Sequence, residues 1–164
     1  MATMPESEPP ASGTRTPPQT NSDTFWTAAE LGSGLSELDR AECLELLAAK
    51  FVGRIAYVGD TGPRILPVNY ISEDCVIFRT VPDGEIFRYA LNSTCAFEID
   101  EIEEFFESGW SVVAVGRMEP ATEDDFAHMR FGRLPEPWAA GNRSMFVRLP
   151  CEHVSGRRVI GRGR

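Results

Sequence analysis

From Val52 to Ile160 the sequence falls into short segments rich in Val, Ile, Phe, Tyr and Cys, separated by turn-forming or polar residues. Strands this short cannot satisfy their own backbone, so they must pair into a sheet whose edges are then hidden. VGRIAYV (52–58) stops at Gly59-Asp60-Thr61-Gly62-Pro63, and RILPVNYI (64–71) is parted from CVIFRT (75–80) by Ser72-Glu73-Asp74. These three read as an antiparallel meander. TCAFEID (94–100) sets Cys95, Phe97 and Ile99 against Glu98 and Asp100, and GWSVVAVGRMEP (109–120), MFVRLP (145–150) and EHVSGRRVI (152–160) supply the remaining strands. Pro67 has no N–H for a ladder, which predicts a bulge or an unpaired edge there.

Helical spacing is confined to three places. Leu38, Ala41, Leu44 and Ala48 recur with a helical period after Ser36 and Asp39, whose spacing resembles a capping box, so a helix is expected from Ser36 to about Lys50. Residues 83–91 predict a short helix capped by Asp83, and residues 122–131 a second one opened by Thr122. The sum is a mainly β (α+β) domain of six or seven antiparallel strands with two or three covering helices, a closed or nearly closed barrel. Order is expected over residues 35–160. The Pro/Ser/Thr-rich residues 1–34 predict a disordered tail, from which Phe25, Trp26 and Leu31 are able to dock, and residues 161–164 a flexible end.

A formal charge of -9 at pH 7 excludes a nucleic-acid binder and a polybasic membrane-surface protein. No apolar run approaches the roughly 20 residues a membrane-spanning helix needs. Cys43, Cys75, Cys95 and Cys151 form no C-x-x-C pair, and His128 and His153 lack zinc spacing, so no metal site is expected. With no signal peptide, the expected compartment is the cytoplasm. The cluster Glu98, Asp100, Glu101, Glu103, Glu104 and Glu107 reads as a solvated acidic loop without the spacing of a calcium loop.

H-E-x-x-H, G-x-S-x-G, Walker and G-x-G-x-x-G patterns are absent, and neither histidine stands near a nucleophile, so no catalytic residue is nominated. One constellation carries chemistry. The proline-centred strand Leu66-Pro67-Val68-Asn69-Tyr70 is followed across one turn by a strand ending Phe78-Arg79-Thr80, which opens into a short helix. A strand-to-helix junction with an arginine and a hydroxyl suits a phosphate, and an interrupted strand edge suits the rim of a flat heteroaromatic ring. The same residues also suit an ordinary exposed strand, an edge proline and, at Trp110, a core anchor.

The order VGRIAYV, RILPVNY, VIFRT, short helix, CAFEID, GWSVVAVGR, FVRLPCEHVSGRRV resembles the pyridoxamine 5′-phosphate oxidase-like superfamily, in its small actinobacterial type, over residues 36–160. The resemblance implies a split β-barrel that forms a homodimer with FMN at the interface, deazaflavin or haem being the family's other cofactors. It implies a flavin-dependent oxidoreductase acting on a small molecule, or a non-catalytic sensor or interaction protein that has lost FMN. Haem is disfavoured because neither histidine matches the motif. Residue by residue, the resemblance puts Pro67, Val68 and Asn69 along the flavin ring, Arg79 and Thr80 at the phosphate, and Trp110 and Ser111 on the facing subunit. Trp138 and Arg148 are lesser candidates, and Arg157 lies in a recurrent SGRR turn. Where the family commonly continues Gly-Ser/Thr-Lys-Leu, this chain has Asp83-Gly84-Glu85-Ile86, so an acid replaces the phosphate-binding lysine. Arg54 and Arg88 are the expected compensating cations.

Overall fold

The computed structural model describes residues 34–127, 134–138 and 141–161. The readings made of the tail at 1–33, of His128 and of residues 162–164 lie outside them. The described elements run β1 (Leu35–Leu38), α1 (Arg40–Ala49), β2 (Val52–Gly59), β3 (Gly62–Ser72), β4 (Cys75–Thr80), α2 (Glu85–Tyr89), β5 (Thr94–Glu103), β6 (Ser108–Arg117), β7 (Glu119–Pro120), α3 (Glu123–Ala127), β8 (Met145–Pro150) and β9 (His153–Val159). All pairings are antiparallel, and the strand order is β1-β9-β6-β5-β2-β3-β4-β8-β7. The sheet curls until β6 approaches β8: a Cβ on Gly116 would strike the carbonyl oxygen of Pro150. The fold is the expected mainly β split barrel.

Alternation along the strands fills the barrel. Ile55, Tyr70, Phe78, Phe97, Ile99, Val112, Val147 and Leu149 point inward, each buried to about 1% or less. The Tyr70 and Phe97 rings meet edge to face at 4.7 Å, and the Tyr70 hydroxyl donates to the Leu47 carbonyl at 2.7 Å, fixing α1 over one end. Gly53 is required here because a Cβ would overlap the Phe97 ring, and Gly156 because a Cβ would sit 2.7 Å from Cys43 Sγ. Among the described residues all four cysteines are free thiols.

Among the described residues nine strands are present where six or seven were expected, for two local reasons. Leu35–Leu38 is a strand, paired to β9 through Leu35–Val159, and the helix cap is Asp39, whose carboxylate accepts from the Glu42 amide at 2.8 Å. Ser36 therefore caps nothing. The long strand predicted over 109–120 breaks at Met118, which is fully buried and whose amide donates to the Ser93 carbonyl, leaving β7 as a separate strand. The supposed acidic loop is largely strand as well. β5 continues to Glu103, and its acids take cross-strand cations: Arg54 lies 2.9 Å from Glu98 and 2.6 Å from Asp100, and Lys50 lies 2.8 Å from Glu101.

Candidate functional site

The place where the barrel splits is set by β3. Its first part pairs with β2 in unbroken register from Gly62–Gly59 to Asn69–Val52, and its last three residues, Tyr70–Ser72, pair with β4. Pro67 stands opposite Arg54 without a bulge, so of the two expectations for this proline the unpaired edge is the one found. Among the described residues Gly62–Asn69 has no strand on its β4 side, which leaves backbone there for a ligand. Continuing the Tyr70–Phe78 register by one step sets Asn69 against Arg79, and by two steps Val68 against Thr80. Pro67, Val68 and Asn69 thus precede this pairing on β3 and Arg79 and Thr80 follow it on β4, so the five flank the cleft where the two strands part. Val68 and Thr80 share the inward face with Tyr70 and Phe78, and Pro67, Asn69 and Arg79 lie on the other.

The cleft is already organised by the chain before β8. Asn69 Oδ1 accepts from the Trp138 amide at 3.0 Å, and Arg79 Nε donates to the Arg143 carbonyl at 2.6 Å. The Arg79 guanidinium also lies 5.1 Å from the centre of the Phe146 ring, and the residue is half-buried. Thr80 is buried. Trp138, a lesser candidate in the sequence, reaches this place through its backbone, while the Arg143 carbonyl carried no signal in the sequence because it depends on where a distant segment returns. Trp138 itself is 82% exposed.

The junction after Thr80 differs from the expectation. Val81-Pro82-Asp83-Gly84 forms a turn in which the Gly84 amide donates to the Val81 carbonyl at 3.1 Å. Asp83 has φ 59°, the conformation of the third residue of a type II turn that follows a proline. It does not cap α2, whose cap residue is Gly84 with no side-chain hydrogen bond. α2 has only five residues, so its dipole is a lesser source of positive potential than Arg79. Glu85 turns toward the β2–β3 hairpin, 3.1 Å from Arg64 Nε. Of the expected compensating cations, Arg54 is engaged by Glu98 and Asp100, whose hydrogen bonds, led by Asp100, hold its guanidinium above its ordinary pKa.

Trp110 and Ser111 lie elsewhere on the chain. β2 and β5 stand between β3 and β6, so at about 4.8 Å per strand they are about 14 Å from the cleft. Trp110 packs against the core with Lys50 Nζ 5.4 Å from its ring, and both Trp110 and Ser111 line a groove of about 760 Å³ along β5, β6 and β9. Glu98, Asp100, Val113 and Arg157 line that groove. Arg157 is inside β9, opposite Ser111, and not in a turn. Arg148 is committed elsewhere, 2.9 Å from Asp125 and 3.9 Å from Glu119. Among the described residues no group of three or more His, Cys, Asp or Glu is placed to hold a metal ion, and no helix is long and apolar enough to cross a membrane.

The chain is similar to an uncharacterized protein of Mycobacterium tuberculosis, 32% identical over 135 residues, covering 78% of this chain and 88% of that one. Among solved structures it is similar to an FAD-binding protein from Mycobacterium smegmatis, with a TM-score of 0.57 and 26% identity over 76% of this chain and 97% of the other. An FAD-binding protein from Mesorhizobium loti gives a TM-score of 0.59 and 26% identity, over 76% and 98%. The family model for pyridoxamine 5′-phosphate oxidase matches residues 39–158, from the helix cap at Asp39 through nearly all of β9. The chain belongs to the pyridoxamine 5′-phosphate oxidase family.

Proposed function

We propose that this chain binds a flavin, with the phosphate at Arg79 and Thr80 and the ring edge along Pro67–Asn69, and uses it as a small-molecule oxidoreductase. The observation that carries the proposal is a half-buried arginine, Arg79, set over the Phe146 ring and held by the Arg143 carbonyl, at the point where β3 loses its partner on the β4 side and leaves backbone free. The residues present fit the group: Nε of Arg79 is fixed by Arg143, which aims the rest of the guanidinium, and the nearest helical acid, Glu85, is paired with Arg64. Two relatives at 26% identity are described as FAD-binding, which supports a flavin. FMN, with its single phosphate, is the form assigned here.

The flavin, when bound, supplies the electron or hydride chemistry, while the protein positions and shields it. Ser111 and the Trp110 strand lie too far from the cleft to act within one chain, so a second copy is assigned to bring its groove over the ring. A homodimer follows, with the cofactor between subunits. A second reading, a flavin holder without turnover, draws on Asp83, an exposed acid in the turn just after Thr80 that opposes a phosphate.

The test is a fluorescence titration of the full chain with FMN and with FAD, repeated for Arg79→Ala. Saturable binding that weakens about tenfold to a hundredfold in the variant is expected, the scale of a charge-assisted phosphate contact. Absence of binding, or equal binding by both proteins, contradicts the assignment.

A further inference from the structure

Glu85 is a carboxylate five residues beyond Thr80, yet its oxygen lies against the far end of the β2–β3 hairpin. Oε1 is 3.1 Å from Arg64 Nε and 3.5 Å from the position a Cβ would take on Gly59. Arg64 is four residues along β3 from Val68, the position that continues the register opposite Thr80, or about 13 Å along the strand. The arrangement has three supports. Gly59 lacks the side chain that would crowd both partners, since a Cβ there would also lie 3.1 Å from Arg64 Cγ. Arg64 Nη2 donates to Thr61 Oγ1 at 3.1 Å, which fixes the guanidinium on the turn. Beneath the pair, Tyr57 is 4% exposed, and its phenol is pushed up to about 12 by burial and then by Glu85.

We infer that Arg64 is a positioning residue for the anion end of the cleft: it holds the Glu85 carboxylate on the hairpin, away from Arg79 and Thr80. Among the described residues Arg64 is the cation paired with Glu85 at that corner, and the helix that carries Glu85 starts one residue after the turn that closes β4. A released carboxylate then repels a phosphate dianion through partly solvated surroundings, a modest effect of about fivefold to tenfold in affinity. The inference rests on the flavin reading above and adds to it a residue that touches no ligand.

Three proteins decide it: Arg64→Ala, Glu85→Gln, and the double variant, each titrated with FMN and with riboflavin, which has the ring but no phosphate. Arg64→Ala is expected to weaken FMN about fivefold to tenfold and leave riboflavin unchanged. Adding Glu85→Gln to Arg64→Ala is expected to restore FMN to within about twofold of the original, while Glu85→Gln alone changes little. Unchanged FMN affinity in Arg64→Ala, equal loss of FMN and riboflavin, or failure of Glu85→Gln to restore FMN each overturns the inference and leaves the flavin site standing. Failure of the unaltered chain to bind either flavin overturns both.

Discussion

Tyr70 shows how much a single side chain does in this barrel. Its ring closes the core against Phe97 and its hydroxyl ties α1 to the strands through Leu47. Tyr70→Phe keeps the ring and leaves a buried carbonyl unpaired, so a loss of about 1–2 kcal/mol is expected in urea unfolding. The thiols give a second check at this scale. Burial, with help at Cys43 from Glu42 and Asp39, pushes Cys43, Cys75 and Cys95 up to about 11 and raises Cys151 as well. A thiol reagent at pH 8 should find almost no thiolate in the native protein and titrate four thiols once it is unfolded. The neighbourhood of Asn69 and Arg79 was legible for a local reason: they sit on consecutive strands joined by one short turn. Asp83 was misread as a helix cap because its left-handed backbone conformation leaves no mark in the composition.

At the scale of elements, what could be read depended on how local the cause was. β2 and the inward alternation of β5 follow from period-two patterning, and β4 from a short apolar run, Val76-Ile77-Phe78, buried on both faces. β1 does not, since Leu35–Leu38 is compatible with a helical start and becomes a strand only because β9 pairs with it. The acid-rich end of β5 was equally hidden, because residues 101–103 become strand only by pairing with β6, with Lys50 meeting Glu101. Two capping interactions are open to test. Asp39→Ala should cost about 1 kcal/mol in thermal unfolding, whereas Ser36→Ala should leave helix capping untouched. At α3, burial alone would raise the Asp125 carboxyl, but the Thr122 amide and hydroxyl, then Arg148, more than offset it and lower it. A depressed carboxyl contributes stability that is present above its unfolded pKa and lost as pH falls through the folded value. Unfolding measured between pH 6 and pH 2 should therefore lose part of its acid-limb slope in Asp125→Asn.

For the whole molecule, the family fold was legible from the order of segments, while the nominated site residues fall in two separate places. One chain presents the cleft at Pro67–Asn69, Arg79 and Thr80, and its groove at Ser111 is about 14 Å distant across two strands. In the dimer proposed above a second copy joins them, and the partly buried Val113 on the groove is where a charge should prevent that association. Val113→Arg is expected to yield a folded monomer that fails to retain flavin, as read by light scattering. The most direct test of the central claim is the absorbance spectrum of the full chain, mixed with FMN and passed through a gel-filtration column with in-line mass measurement. An oxidised-flavin band, near 450 nm by rough expectation, that co-elutes with a dimer is the result expected; a colourless protein peak, with all flavin in the small-molecule fraction, would contradict it.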